Sequence, residues 1–260
     1  MLMKRPIVRA TSLAALCLLA AVIAGCSEGS SVAMTSQGTP PPSAQQTEHQ
    51  NPPSPTPSCP VPDSGRCLGM LASGRYTTSG FRPILTYRVP NGWSNYLDVP
   101  GGFLLMPPGA QPPGELIAGD FISVVAHVAA EASDCSSPHS APGVGRSASD
   151  IVGWMRQQRD LTTTKPEAAN IGGLRGKTLE VRMTPGAKGC LAPGATKLAA
   201  PLLVGTGPFG FDHEIGHGIL ERDYVFDHAG STVAIEVIDT SGGAHLTRYL
   251  KIVKTFRFSP

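Results

Sequence analysis

The sequence predicts an α+β domain: an antiparallel β-sheet with two or three helices packed on it. Three observations predict it. Short apolar, β-branched runs alternate with Gly, Pro and Asn turns. One run, Lys177 to Met183, alternates strictly between two faces. Only two stretches repeat apolar residues at helical spacing, and they lie far apart in the chain.

The elements follow in order. Arg75 to Thr78 and Leu85 to Val89 read as the first two strands. Pro90-Asn91-Gly92 turns the chain before Trp93. Phe103 to Met106 is a short apolar run between Gly102 and Pro107. Phe121 to Ala129 is rich in β-branched residues and reads as one central strand, with His127 half-buried in it. A helix follows, capped by Ser147 or Ser149, with Asp150 in its first turn and Ile151, Trp154 and Met155 as its apolar stripe. Leu161 to Lys165 adds a strand, and Gly172-Gly173 a turn. In the alternating run, Lys177, Leu179, Val181 and Met183 share one face, and Thr178, Glu180 and Arg182 the other. Leu220 to His228 and Thr232 to Ile238 make a hairpin around Ala229-Gly230. Leu246, Tyr249, Leu250 and Val253 mark the last helix, and Phe256 and Phe258 a closing strand. The expected layout sets the helices to one side of the sheet.

Ahead of this domain, residues 1–25 read as a secretion signal. Lys4, Arg5 and Arg9 precede an apolar run from Leu13 to Ile23, which is shorter than the roughly 20 residues a membrane helix needs. The run Ile23-Ala24-Gly25-Cys26 resembles the bacterial lipobox. That resemblance implies cleavage before Cys26, a diacylglyceryl group on its thiol, palmitate among the acyl chains, and a cell-membrane location on the extracytoplasmic face. Two or more acyl chains are needed for a stable anchor. Residues 26–58 then form a Pro/Ser-rich tether, including Pro40-Pro41-Pro42 and Pro52-Pro53. It has too few large apolar side chains to offset the entropy of ordering. Residues 59–260 are long enough for one domain with a real core.

Charge excludes some functions. With 21 basic against 19 acidic residues and no basic stripe, nucleic acid is not an expected partner. No G-x-S-x-G elbow supports a serine hydrolase, and Gly143-Val144-Gly145 follows no strand that would make a phosphate cradle. Of the six cysteines, Cys17 leaves with the signal and Cys26 takes lipid. The remaining four, Cys59, Cys67, Cys135 and Cys190, suggest two disulfides in an exported domain. Three pairings are possible; Cys59–Cys67 with Cys135–Cys190 is the preferred one.

The order of elements resembles the actinobacterial lipoproteins of the PsbP-like fold class. The residues that carry this are Leu85 to Trp93 with its Val-Pro-x-Gly-Trp turn, Gly172 to Gly176, and Thr255-Phe256-Arg257-Phe258. The likeness covers roughly residues 75 to 258, apart from an insert at about 184 to 218. It implies a non-enzymatic envelope protein or a complex-associated one, with no shared catalytic residues to carry over. The expected partners are the membrane, through Cys26, and an envelope protein or ligand of unknown identity.

Inside the insert stands His213-Glu214-Ile215-Gly216-His217, which spells the H-E-x-x-H zinc-peptidase signature. On a helix, His213 and His217 would share one face and one zinc, and Glu214 would serve as general base to the metal-bound water. The string resembles the metzincin form, with Asp223 at the third-ligand position. Leu220 replaces the expected glycine, however, and no methionine follows Met183. Glu236 and His228 are other third-ligand candidates, although Glu236 falls in a strand. Gly216 and Gly218 weaken a helix here. An extended segment would set the two imidazoles about 13 Å apart. The preferred reading is a surface loop that spells the motif by chance, in a non-catalytic binding domain without a cofactor. The alternatives are a zinc metallopeptidase and a small-ligand carrier.

Overall fold

The computed structural model describes residues 68–110, 119–191 and 197–259. The signal, Cys26, the tether and the Cys59–Cys67 pair lie outside them. Among the described residues no helix is long and apolar enough to cross a membrane.

Among the described residues the fold is mostly antiparallel sheet with two helices. The strands run β1 (Gly69–Met70), β2 (Gly74–Thr77), β3 (Ile84–Val89), β4 (Ser94–Val99), β5 (Gly102–Met106), β6 (Phe121–Ala126) and β7 (Val128–Ala130). Helix α1 (Ala148–Met155) follows. Next come β8 (Leu161–Thr163), β9 (Glu167–Ile171), β10 (Leu174–Met183), β11 (Ala199–Gly205), β12 (Asp212–Gly216), β13 (Leu220–His228) and β14 (Ser231–Asp239). Helix α2 (Leu246–Val253) and β15 (Arg257–Ser259) end the domain. The large sheet has the order β1-β4-β5-β6-β14-β13-β10-β8, with β9 also paired to β10. Two three-stranded sheets, β12-β11-β7 and β15-β3-β2, complete the fold.

The large sheet is the middle layer. Side chains alternate across it, so odd and even positions of β13 enter different cores. Tyr224 and Phe226, with Val233, Ile235 and Val237 of β14, pack under β3 and α2. Val225 and Ala234 face the other way, toward α1, β11 and β12. The two helices therefore cover opposite faces rather than one side. The reason is visible in α2: Leu246, Tyr249, Ile252 and Val253 belong to the first core, while Ile151, Val152 and Met155 of α1 belong to the second.

Local chemistry explains the ends of the elements. Ser147 caps α1, its hydroxyl accepting from the Asp150 amide, while the Asp150 carboxylate reaches back to the Ser147 N–H. Asp227 on β13 accepts from the Ala148 N–H at 2.8 Å, fixing the helix start against the sheet. The β13–β14 hairpin turns through Ala229 and Gly230, both at positive φ. Buried Asp98 accepts from the backbone N–H groups of Ser79, Gly80 and Phe81 at 2.7–3.0 Å and so holds the β2–β3 loop.

The single strand expected over Phe121 to Ala129 is two strands in two sheets. His127 breaks it at φ 61°, exposed rather than half-buried. Its carbonyl accepts from the Thr206 N–H and hydroxyl, and its own N–H donates to the Thr232 carbonyl. This corner passes the chain from the large sheet to β7, and so brings β11 and β12 over the second core. Cys135 and Cys190 are disulfide-bonded, with Cα atoms 5.1 Å apart. The bridge ties the loop after β7 to the segment before β11.

Candidate functional site

The His213–His217 segment is neither a loop nor a helix. Residues Asp212–Gly216 are strand β12, paired with β11 so that His213 lies opposite Leu203 and Ile215 opposite Ala200. Strand alternation sends His213 and Ile215 into the core, while Asp212 is exposed and Glu214 half-buried. His217 follows the strand and is exposed. Four residues of extended chain span about 13 Å, so His213 and His217 do not converge on one ion. Glu214 points to the opposite face from His213 and is no general base for it. His228, at the far end of β13, lies five residues from Asp223, about 17 Å along the strand. The zinc-peptidase set of His213, Glu214, His217, Asp223 and His228 is thus not assembled.

A different constellation forms around His213. On β13, Glu221 and Asp223 share the parity of Val225 and so face the second core. Asp223 pairs directly with Glu236 of β14, and Glu236 pairs directly with Ser123 of β6. One row across three strands therefore reads Asp223, Glu236, Ser123, with Glu221 two residues along from Asp223. His213 reaches down from β12 above this row, its Nε2 2.8 Å from Glu221 Oε2. One ligand atom from each of His213, Glu221 and Glu236 lies within 4.8 Å of the others. His213 is 4% exposed, and Glu221, Asp223 and Glu236 are 0% exposed. Phe211 stacks parallel to the imidazole at 6.1 Å, and Phe121 meets it edge-on at 6.4 Å.

Three carboxyls in an apolar layer must shift one another's protonation. Burial would push the His213 imidazole down, but the Glu221 carboxylate, and then Glu236, outweigh it and raise it to about 10. Burial likewise acts to raise Glu221, yet the His213 charge and its hydrogen bond hold that carboxyl below its ordinary value. Asp223 is pushed well above the carboxylate range by burial and by Glu221 and Glu236. Glu236 rises to about 7, from burial first, with His213 opposing and Glu221 adding. The Ser123 hydroxyl donates to Glu236 Oε2. Asp223 and Glu221 are placed to share a proton, whereas Glu236 Oε1 and His213 Nδ1 are buried without a hydrogen-bond partner.

Nearby, Glu131 is 3% exposed and its Oε2 has no partner. Burial, with Glu214 and Asp212 adding repulsion, raises it to about 8.

A second acidic group, Asp120, Asp239 and His245, sits at the start of α2. Each of its carboxylate oxygens accepts a hydrogen bond: Asp120 from Thr240, Tyr249 and His245, and Asp239 from Ser241 and the His245 N–H. That satisfied network is a helix anchor. On the outer edge of the large sheet, Leu68, Met70 and Tyr96 are exposed, Met70 at 72%.

Glu221 and Ser123 escaped the reading of the sequence. The signal for Glu221 was available in Glu221-Arg222-Asp223-Tyr224-Val225, because strand alternation puts both acids on the same face as Val225. Nothing local marks Ser123, whose role comes from pairing with β14.

No protein-family model matches this chain, and no curated protein matches it. Among solved structures, the solution structure of cyanobacterial PsbP (CyanoP) from Synechocystis sp. PCC 6803 is similar to it. The identity is 15%, the match covers 75% of this chain and 99% of that chain, and the TM-score is 0.36. An overlap of that size carries no functional argument.

Proposed function

We propose that this chain is a lipid-anchored protein of the cell envelope, cut before Cys26 and held on the extracytoplasmic face by lipid on that cysteine. Residues 59–260 then act as a binding or interaction domain, of PsbP-like arrangement, carried on the tether of residues 26–58. The observation that carries the reading is Cys26 itself, set directly after Ala24-Gly25 where the apolar run ends. The order of strands and helices supports the PsbP-like arrangement.

The domain supports binding over catalysis in two ways. The ionisable groups that converge on His213 are sealed in the core, out of reach of a substrate, and the outer group of Asp120, Asp239 and His245 has its carboxylates committed to hydrogen bonds that hold α2. An exposed apolar strip at Leu68, Met70 and Tyr96 offers surface to a partner. A peptidase would need His213 and His217 on one ion, and strand β12 separates them.

Phase partition in a cloud-point detergent tests the anchor. The chain expressed in a bacterial host enters the detergent phase, and Cys26→Ser moves to the aqueous phase. A wild-type chain in the aqueous phase, or one whose intact mass shows no diacylglyceryl group on an N-terminal Cys26, overturns the reading; the Cys26→Ser chain is compared after its mass shows the signal removed.

A further inference from the structure

The buried row on β13 and β14 poses a problem of charge and of hydrogen bonding. Asp223 and Glu236 are directly opposite on neighbouring strands, the position at which like charges repel most. Glu221 lies two residues away on the same face. Against these three carboxyls stands one imidazole. Protons alone could neutralise the group, but a proton-sharing cluster satisfies its members by hydrogen bonds among themselves. A proton on Asp223 is shared with Glu221 through a side-chain hydrogen bond, but Glu236 Oε1 and His213 Nδ1 keep no partner, at 0% and 4% exposure. An orphaned buried oxygen such as Glu236 Oε1 calls for a positive partner.

We infer that this cluster is a closed site for one divalent first-row metal ion, zinc or manganese, ligated by His213, Glu221 and Glu236, with Asp223 completing the set. One imidazole nitrogen with carboxylate oxygens is a donor set both ions accept. The three nearest ligand atoms already lie within 4.8 Å of one another. Metal–ligand bonds of roughly 2.0–2.2 Å at tetrahedral angles need separations of about 3.5 Å, so the His213–Glu221 pair at 2.8 Å widens while separations near 4.8 Å close in. The ion would replace the hydrogen bond between His213 and Glu221. It would join β12 of the small sheet to β13 and β14 of the large one, holding the two layers that bound the second core. With all four side chains buried, no coordination position opens to solvent, so the site is structural. The inference stands apart from the lipid anchor, and from the H-E-x-x-H spelling, since it uses His213 without His217.

The test uses the full chain in detergent with its disulfide intact. It is unfolded in urea with chelator, then refolded with Zn2+ or Mn2+ in separate arms, desalted and assayed for metal by elemental mass spectrometry. The expected result is about one ion per chain with one of the two metals, and a higher Tm than for chain refolded in chelator. His213→Gln and Glu236→Gln lose the ion, whereas His217→Ala keeps it. Co2+ refolded into wild-type chain gives visible absorption that Glu236→Gln alters, a readout available even if His213→Gln does not fold. A folded wild-type chain that takes up neither metal, or a Glu236→Gln chain that retains a full equivalent, overturns the inference. So does loss of the ion in His217→Ala.

Discussion

Replacing His213 and His217 separately by alanine distinguishes a strand from a shared metal site. His213 is buried against a fully buried Glu221, with 2.8 Å between them. Removing one member of a buried ion pair costs about 3–5 kcal/mol, because the other is left charged in the core or must take up a proton. The stacked Phe211 and the edge-on Phe121 lose their contact with the ring as well. For a domain of this size, that loss corresponds to a fall in Tm of about 6–20 °C. His217 is exposed and outside β12, so His217→Ala stays within about 0.5 kcal/mol of wild type. Urea unfolding in chelator, followed by the fluorescence of buried Trp93, measures both. Equal losses in the two variants would refute the strand placement. So would a His213→Ala chain within about 1 kcal/mol of wild type, since breaking a buried pair cannot be that mild.

Two further outcomes follow from the same layer. Glu131 has a folded-state value near 8, raised by burial and by Glu214 and Asp212, against an ordinary 4.5. The folded state therefore holds this proton more tightly than the unfolded chain. Its contribution is complete below about pH 4.5, declines as pH rises to about 8 and is flat above. The full shift would amount to about 5 kcal/mol, and screening of half-exposed Glu214 and exposed Asp212 reduces this to about 1–3 kcal/mol. Glu131→Gln should flatten the difference in urea stability between pH 5 and pH 8, and an unchanged slope would show that Glu131 is not its source. The Cys135–Cys190 bridge closes a loop with a sequence separation of 55, for which loop entropy gives about 4 kcal/mol. Changing both cysteines to serine should lower urea stability by about 2–4 kcal/mol; a loss under about 1 kcal/mol would mean that the bridge adds nothing to the fold.

Much of the local structure was legible in the sequence. Strands β3, β5, β10, β13 and β14, both helices and the Ala229-Gly230 hairpin follow from pattern and caps; the Cys135–Cys190 bond is the preferred one of three pairings the cysteine count left open. The misses have physical causes. Apart from Ser123 and His127, Phe121 to Ala130 is apolar, with no Gly, Pro or Asn to signal the turn at His127. That turn exists because Thr206 and Thr232 hydrogen-bond its backbone from two other segments. The insert of residues 184–218 lacked strong alternation, and β11 and β12 form because each pairs with the other over the second core.

The site divides in the same way. By itself the sequence determined that Glu221 and Asp223 would share a face wherever they lay in a strand, because alternation is a property of the extended backbone. It also determined that His213 and His217 could share a metal only on a helix. Tertiary structure alone decided which of those conditions held. Pairing with β11 made residues 212–216 a strand, so His217 went to solvent and His213 to the core. The register of β13 with β14 set Asp223 against Glu236, and folding of the small sheet over the large one delivered His213 to Glu221. These partners come from three strands joined by hydrogen-bond register and core packing, which depend on the whole chain rather than on the spacing within any one motif.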